Sequence, residues 1–489
     1  MAFGWMGILL SGCTPSVFTP VSSPNPWQDD YSAVSSMDNY RSWGTYNVHD
    51  PSCRKLGDYY YMYSTDAIFK ENRREAEEKG VPLGYIQVRR SKDLVHWEFC
   101  GWAFPEIPQE AVEWVHACTG GKGATNIWAP YIIPYKDHYR LYYCVSAFGL
   151  NTSYIGLAES DSPEGPWKQM GCVVKTGPGT AMNAIDPSVV VDAADGKWWM
   201  HYGSYFGGLY CVELNPETGL TAEVDDKGHL TARRANYQKD NLEAPEIFYN
   251  RDLKQYFLFT SYDPLMTTYN VRVSRSDKAG GPFTDYFGKA VADTTNNFPI
   301  LTAPYRFANH PGWAGTAHCG VFTTDDGRYF MVHQGRLSPH NQLMNLHLRQ
   351  VFFTEDGWPV VSPERYAGSE SRRFSPEDLA GEWEIIRVQE PLYERQLEAG
   401  QILWGEGELK KEEWNMSQPL SLEKSGKLGE GRGNWTFAES HQMLTLVLNG
   451  EALQNLIVFA GHDWENETET ILFTGLDSRG RSVWGKRTK

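Results

Sequence analysis

Short apolar and aromatic runs, separated by Gly, Pro, Asn and Asp, recur along most of the chain. The segment 183–214 shows the repeating unit, NAIDPSVVVDAADGKWWMHYGSYFGGLYCVEL. An Asp-Pro step opens a β-branched run, a turn follows at Asp195-Gly196, and an aromatic run leads through a Gly-rich bend into another apolar run. Strand, turn and strand at this spacing predict an antiparallel meander.

The same unit occurs five times. Its copies begin at His49-Asp50-Pro51, Trp128-Ala129-Pro130, Ile185-Asp186-Pro187, Glu243-Ala244-Pro245 and Ala317-His318-Cys319. Repeats of a short β-meander at roughly 40–60 residues are typical of a β-propeller, in which each repeat forms one blade. We therefore predict an all-β chain with a five-bladed β-propeller over residues 41–364.

The pattern changes after the propeller. Residues 365–376 are charged and Ser-rich and predict a linker. Over residues 377–489, short strands of even spacing alternate with Gly-containing turns, which predicts a small antiparallel β-barrel as an accessory domain. Within the first blade, the charged insertion Lys70–Gly80 predicts a surface helix.

Residues 1–40 predict a signal and a tether. An apolar run ends in Leu10-Ser11-Gly12-Cys13, and the polar segment after it has no period. The run is similar to a bacterial lipoprotein signal in which Cys13 becomes lipidated, although no Lys or Arg precedes it. No apolar run reaches the roughly 18 residues of a spanning helix. We expect an exported periplasmic or cell-surface lipoprotein that meets the membrane only through Cys13.

Composition narrows the class of partner. The net charge of −16 argues against a nucleic-acid partner. Abundant Tyr and Trp suit a carbohydrate ligand, but β-rich folds also use aromatic residues as core. The eight cysteines are scattered without a Cys-x-x-Cys pair, which argues against zinc and iron–sulfur sites.

The repeats also predict a site. The first strand of each blade lines the axis of a propeller, so residues at the start of each repeat should meet at one end of that axis. These residues are Asp50, Trp128, Asp186, Glu243 and His318. One protonated and one ionised carboxyl group are enough to hydrolyse a glycosidic bond, and a third carboxylate nearby raises the pKa of the acid. Each residue alone is ordinary turn or core chemistry, but their recurrence at equivalent positions favours a functional site.

The repeats resemble those of glycoside hydrolase family 43, and within it the two-domain endo-arabinanases. The resemblance covers residues 45–360, and seven motifs carry it in order: VHDPS (48–52), NIWAPYI (126–132), VSAFGLNTSYIGLA (145–158), NAIDPSVV (183–190), HYGSYFGGLYCVEL (201–214), NLEAPEI (241–247) and GTAHCGVF (315–322). It implies a five-bladed propeller that acts on arabinan or xylan side chains.

The resemblance implies a role for each site residue. Asp50 corresponds to the general base, Glu243 to the general acid, and Asp186 to the group that tunes the pKa of the acid. The residues that line the sugar subsites correspond to His49, Trp128, Phe148, Ser204 and Tyr205. His318 corresponds to the residue that faces a bound ion, usually calcium. Glu246, which follows in the Glu-Ala-Pro-Glu run, is a rival for the role of the acid.

We therefore expect an inverting hydrolase, active as a monomer, that cuts internal α-1,5 links of arabinan. An exo-acting arabinofuranosidase or β-xylosidase of the same fold is the nearest alternative. A non-catalytic carbohydrate-binding propeller and a structural propeller with a partner-binding face are alternatives from other functional classes.

Overall fold

The computed structural model describes residues 36–67, 70–234, 240–293, 296–339, 344–391 and 409–488. Cys13 and the predicted signal lie outside these residues, and so does most of the predicted barrel strand at 402–409. The described part of the chain is built almost entirely from antiparallel β-sheet, which confirms the all-β prediction. None of its helices is long and apolar enough to cross a membrane.

Four separate sheets of four antiparallel strands follow one another along the chain, as blades of a propeller do. The first contains β1–β4, at His49–Leu56, Tyr59–Thr65, Tyr85–Ser91 and Glu98–Phe104. The second contains β5–β8, at Trp128–Tyr135, His138–Ser146, Ser153–Ser160 and Lys168–Thr176. The third contains β9–β12, at Ser188–Val191, Trp198–Tyr202, Leu209–Leu214 and His229–Ala232. The fourth contains β13–β16, at Leu242–Asn250, Gln255–Tyr262, Asn270–Ser276 and Ile300–Thr302.

The next sheet is larger, with seven strands. Four of them pair in antiparallel order as in the preceding blades: β19–β22, at Cys319–Thr323, Tyr329–Leu337, Asn345–Phe353 and Pro359–Val361. Three short strands extend it: β17 at Tyr305–Arg306, β18 at Trp313–Ala314 and β24 at Asn415–Met416. The first strands of the sheets contact one another in the order β1, β5, β9, β13, β19 and back to β1.

Hydrogen bonds between neighbouring sheets repeat at the start of these first strands. The backbone amide of Asp50 donates to Gln334, that of Ala129 to Thr65, that of Ala244 to Asp186, and that of His318 to Ser261, at N···O distances of 2.9, 2.8, 3.2 and 2.9 Å. In each case the acceptor is a side chain of the preceding sheet in the ring. Side chains of neighbouring sheets therefore tie the first strands together at one end of the axis.

The backbone at these positions differs from our expectation by one residue in two repeats. Asp50, Ala129, Asp186, Ala244 and His318 all have a left-handed conformation, with φ of +51, +41, +56, +53 and +52°. Non-glycine residues rarely adopt this conformation, and bulges of this kind gather at functional sites. The sequence predicts that Trp128 and Glu243 occupy the same position in their repeats as Asp50 does in its own. They lie one residue earlier, because each stands two residues before its proline, whereas the left-handed residue comes immediately before it.

In the part of the chain that the structure describes, three α-helices lie outside the sheets. They are α1 at Lys70–Glu78, α2 at Gln109–Thr119 and α3 at Pro376–Leu379. The first confirms the helix predicted for the charged insertion. The second was not predicted. It packs on β6 and β7, where Trp114 donates its indole N–H to the carbonyl of Thr176 at 2.9 Å.

The C-terminal region forms a closed barrel of eight strands, which confirms the predicted barrel. Its strands are β23 and β25–β31, at Gly381–Arg387, Gln418–Leu422, Lys427–Leu428, Gly433–Ala438, Met443–Leu448, Glu451–Asp463, Thr468–Leu476 and Ser482–Arg487. The barrel is joined to the propeller by hydrogen bonds from Thr474 to Val361 and from Ser482 to Ile300, at 2.7 and 2.9 Å.

Candidate active site

One cavity of about 230 Å³ opens at the end of the axis where the first strands begin. It is lined by all nine residues that the sequence singled out: His49, Asp50, Trp128, Phe148, Asp186, Ser204, Tyr205, Glu243 and His318. These residues come from five distant parts of the chain. They meet because, in every repeat, the first strand starts and the second strand ends at the same end of the ring.

Asp50 is held by groups that favour its ionised form. Thr65 donates its hydroxyl to Oδ2 at 2.8 Å, and Nδ1 of His49 and Nδ1 of His318 lie 2.7 and 2.8 Å from Oδ1. Burial alone would raise the pKa of Asp50, but the two imidazoles hold it well below its usual value. The same contact raises the pKa of His318 to about 9, against the effect of its own burial. Asp50 is therefore a carboxylate over a wide pH range.

Glu243 and Asp186 have the opposite electrostatic environment. Burial raises the pKa of Glu243, although hydrogen bonds from Tyr269 and Ser204 oppose the shift. Burial, together with the charges of Glu243 and Asp50, raises the pKa of Asp186 well above its usual value, against the attraction of His318. Asp186 also accepts the backbone N–H of Ala244, beside Glu243, at 3.2 Å. The cavity thus places two carboxyl groups whose pKa is raised next to one whose pKa is lowered.

Both oxygens of Glu243 are hydrogen-bonded. Tyr269 donates its phenol to Oε1 at 2.6 Å, and Ser204 donates its hydroxyl to Oε2 at 2.7 Å. Ser204 also forms an isolated backbone bridge with Glu243. Ser204, predicted as a sugar contact, therefore lies directly on the carboxyl group that the resemblance makes the acid.

An aromatic wall borders the carboxyl groups. The rings of Trp128 and Phe148 meet edge to face with centroids 6.3 Å apart, and Phe148 is 46% exposed at the mouth. Tyr205 is buried beneath it, with φ of +53°. An exposed ring beside buried carboxyl groups suits a sugar, whose apolar face stacks on aromatic rings while its hydroxyls are hydrogen-bonded.

Among the residues that the structure describes, Glu246 does not line this cavity. It is buried below, where it accepts hydrogen bonds from Ser188 Oγ and the Val321 backbone amide at 2.7 and 2.9 Å. Arg54 Nη2 lies 3.5 Å from it. Glu246 directly follows Pro245, as Ser188 directly follows Pro187 in the preceding sheet. The Ser188 hydroxyl also accepts the backbone N–H of Ile247, in the next sheet, at 3.0 Å. Glu246 therefore ties neighbouring sheets together.

A second acidic cluster lies where the barrel meets the propeller. Glu364, Asp463 and Glu465 are buried, and within the described ranges they are the three carboxylates spaced closely enough to hold a metal ion. The ammonium group of Lys486 hydrogen-bonds to all three, at 2.9 Å from Glu364 and 3.0 Å from Asp463, and closely to Glu465. The ammonium group of Lys486 therefore already supplies a positive charge to this cluster.

Among the residues that the sequence did not single out, three hydrogen-bond to Asp50 or Glu243. Thr65 ends β2 and Gln334 lies near the end of β20, and antiparallel pairing places these positions beside the starts of β1 and β19. A polar residue at the end of an apolar strand was the signal that would have found them. Tyr269 lies between strands and gave no such signal.

The cavity unites a carboxyl group whose pKa is lowered, a carboxyl group whose pKa is raised and an aromatic wall. Such a set can take a proton from water on one side of a bound acetal and give a proton to its leaving oxygen on the other.

Comparison with known proteins agrees with this chemistry. The sequence profile of glycosyl hydrolases family 43 matches residues 44–359, and that of a C-terminal lipocalin-like domain matches residues 363–485. An extracellular endo-α-(1→5)-L-arabinanase of Thermotoga petrophila is 29% identical over 485 residues, which cover 90% of this chain and 94% of the relative.

Two further proteins are similar. An extracellular exo-α-(1→5)-L-arabinofuranosidase of Cellvibrio japonicus is 28% identical over 345 residues, 67% of this chain and 90% of the relative. The crystal structure of an endo-1,5-α-L-arabinanase from Thermotoga petrophila has a TM-score of 0.73 and 26% identity, and the match covers 91% of this chain and 99% of that one.

Proposed function

Since the chain belongs to glycosyl hydrolases family 43 and is a glycoside hydrolase, we propose that it cuts internal α-1,5-arabinofuranosidic links of arabinan with inversion. The relatives named as endo-arabinanases support the substrate. The observation that carries the mechanism is the pair of carboxyl groups with opposite pKa shifts, Asp50 and Glu243, in one cavity.

In the proposed reaction Glu243 is the general acid. Its proton passes to the glycosidic oxygen as the bond from that oxygen to the anomeric carbon breaks. Asp50, the general base, takes a proton from the water that attacks the anomeric carbon from the opposite face. Inversion needs room for this water, so the two carboxyl groups should lie about 6.5–9.5 Å apart.

Asp186 is proposed to keep Glu243 protonated. Its carboxyl group is buried near Glu243, and two buried carboxyl groups resist carrying two negative charges at once. Its bond to the Ala244 backbone amide also fixes the strand start that presents Glu243. Asp186 therefore acts on the acid both electrostatically and by position.

The substrate is proposed to bind along the mouth of the cavity. The predicted sugar contacts all line it: His49, Trp128, Phe148, Ser204 and Tyr205. Phe148 offers the exposed ring for stacking, whereas Ser204 contacts the acid directly. The partner is thus an arabinan polysaccharide or oligosaccharide, with no nucleic acid, and we propose that the chain acts as a monomer.

Exo action is the second candidate, because the Cellvibrio japonicus relative is named as an exo-arabinofuranosidase. The same catalytic groups serve both modes. A non-catalytic binding propeller is less well supported, since the three carboxyl groups carry the shifts that catalysis requires.

We propose five blades in the catalytic domain over residues 41–364, with β19–β22 as the fifth blade. The ring of contacts among the first strands supports this count. The barrel over residues 377–489 is proposed as the accessory domain. Relatives named as extracellular support export, and lipidation at Cys13 stays a prediction, since that residue lies outside the described ranges.

A calcium ion at His318 stays a prediction as well. Calcium takes about 6–8 oxygen ligands, and His318 offers nitrogen. Its Nδ1 faces Asp50, and a pKa raised to about 9 favours the imidazolium form, which does not bind cations. The His318 imidazole itself therefore does not fit as a calcium ligand, and no step of the proposed reaction depends on the ion. Metal analysis of the purified protein would test the prediction.

The first test is chromatography of the products from linear α-1,5-arabinan, with xylan in parallel and Glu243→Ala as the inactive control. Short arabino-oligosaccharides from the wild type, absent from the variant, support endo action and the assigned acid. Arabinose alone moves the proposal to exo action. Retention of arabinan without any product makes this a binding protein and refutes the proposal.

A further inference from the structure

We propose that Tyr269 is a positioning residue for the general acid and that it assigns separate tasks to the two oxygens of Glu243. Oε1 is held by Tyr269, and Oε2 carries the proton that goes to the leaving group. This inference deepens the proposed function and rests on Glu243 being the acid.

Tyr269 reaches Glu243 from the buried side. It lies immediately before β15, is fully buried in the hydrophobic cluster beneath the fourth and the next sheet, and places its phenol oxygen 2.6 Å from Oε1. Its backbone carbonyl accepts a hydrogen bond from Thr316 Oγ1 at 3.5 Å. Close packing leaves the ring one orientation, so the direction of its O–H is fixed.

The two hydroxyl partners of Glu243 face different sides. Ser204 lines the cavity, whereas Tyr269 is not among the lining residues that the structure describes. Oε2 therefore faces the substrate side and Oε1 the core. A serine hydroxyl rotates and can either donate or accept, so Ser204 can donate to an ionised Oε2 or accept from a protonated one.

The phenol stays a donor in both states of the acid. Burial and the charge of Glu243 raise the pKa of Tyr269 well above its usual value, so it keeps its proton. Donation to Oε1 thus leaves Oε2 as the oxygen that gains and loses a proton. During the reaction the Oε2–H bond breaks and the proton joins the glycosidic oxygen. The bond between that oxygen and the anomeric carbon also breaks, and its electron pair stays on the oxygen.

A bond from Tyr269 also stabilises the carboxylate and opposes the effect of burial on Glu243. Its loss in Tyr269→Phe should raise the pKa of Glu243. A hydrogen bond to a charged group shifts an ionisation equilibrium by roughly tenfold or more. The alkaline limb of kcat/KM should therefore move up by about one pH unit, with kcat lower and KM little changed.

The experiment compares Tyr269→Phe with Tyr142→Phe in the full chain. Tyr142 is equally buried, and its hydroxyl donates to the Gly219 carbonyl at 2.9 Å outside the cavity. We expect the alkaline limb to move only in Tyr269→Phe. The loss of kcat should shrink on an arabino-oligosaccharide carrying a nitrophenyl leaving group, whose departure needs little protonation. An unmoved limb, or an equal loss on both substrates, overturns the inference.

Two further measurements separate the possible failures. If Glu243→Gln keeps its activity on arabinan, the proposed acid is wrong whatever Tyr269 does. If Glu243→Gln is inactive and Tyr269→Phe behaves like Tyr142→Phe, only the inference fails. Should Tyr269→Phe not fold, 3-fluorotyrosine in place of Tyr269 keeps the shape and donates more strongly. It should move the alkaline limb down, and an unmoved limb refutes the inference.

Discussion

Half-buried Glu243 and buried Glu246 lie three residues apart on the same strand and are rivals for the acid, and matched substitutions separate them. We expect Glu246→Gln to destabilise the fold while leaving hydrolysis largely intact, and Glu243→Gln to do the reverse. The reason is their partners: Glu243 meets Tyr269 and Ser204 at the cavity, whereas Glu246 meets Arg54 below it.

The size of the effect at Glu246 follows from its contacts. At 3.5 Å from Arg54, and with an effective dielectric constant of about 20, the attraction is roughly 5 kcal/mol. Relief of the buried charge offsets part of this, and a glutamine oxygen can still accept from the backbone amide of Val321. Removing one partner of a buried pair typically costs about 3–5 kcal/mol. We therefore expect a loss near 3 kcal/mol for Glu246→Gln.

The effect at Glu243 is kinetic. Loss of a general acid lowers turnover by roughly 10²–10⁴-fold, while glutamine keeps both hydroxyl neighbours hydrogen-bonded. Denaturant unfolding measures the first quantity and arabinan hydrolysis, at a temperature where all variants are folded, measures the second. If Glu246→Gln loses turnover by such a factor while Glu243→Gln retains it, the assignment of the acid from cavity geometry is refuted.

The pH profile of kcat/KM should stay high on the acid side until the protein unfolds, because the pKa of Asp50 is held well below its usual value, and it should fall on the alkaline side as Glu243, whose pKa is raised, loses its proton. A steep loss of activity near pH 5 in the folded protein would contradict this. Lys486→Met should destabilise the fold by about 3–5 kcal/mol, since three buried carboxylates lose their counter-charge; unchanged thermal unfolding would refute it. Phe148→Ala should raise KM for arabinan several-fold with little change in kcat, whereas Phe287→Ala, equally exposed but outside the cavity lining, should change neither.

Five members of the site were predictable from one property of the sequence, whereas its four other predicted members were implied only by the resemblance to family 43: His49, Phe148, Ser204 and Tyr205. The repeats each begin with a polar or aromatic step, and a ring of sheets places every such step at the same end of the axis. Residues as distant as Asp50 and His318 could therefore be assigned to one cavity without knowing any contact. The alternation of apolar residues predicted the strands, and the repeat predicted which residues share the cavity.

The prediction that was wrong is the position of Trp128 and Glu243 within their repeats. Alternation along a strand has a period of two residues, and it does not reveal where a left-handed residue turns the strand. Proline follows that residue in four of the five repeats, so the residue immediately before proline, not the one earlier, marks the bulge. Tyr269 was not predictable at all, because it reaches the acid only through packing between two sheets.

The barrel shows how a departure from alternation carries information. On β23, Ile385 faces the barrel interior and Ile386 the propeller core, and on β31 the same holds for Val483 and Trp484. All four are buried, so these two strands are apolar on both faces. In an isolated barrel Ile386 and Trp484 would face water. Consecutive apolar residues in otherwise alternating strands therefore mark the wall of the barrel that packs on the propeller, where β30 contacts β22 and β31 contacts β16.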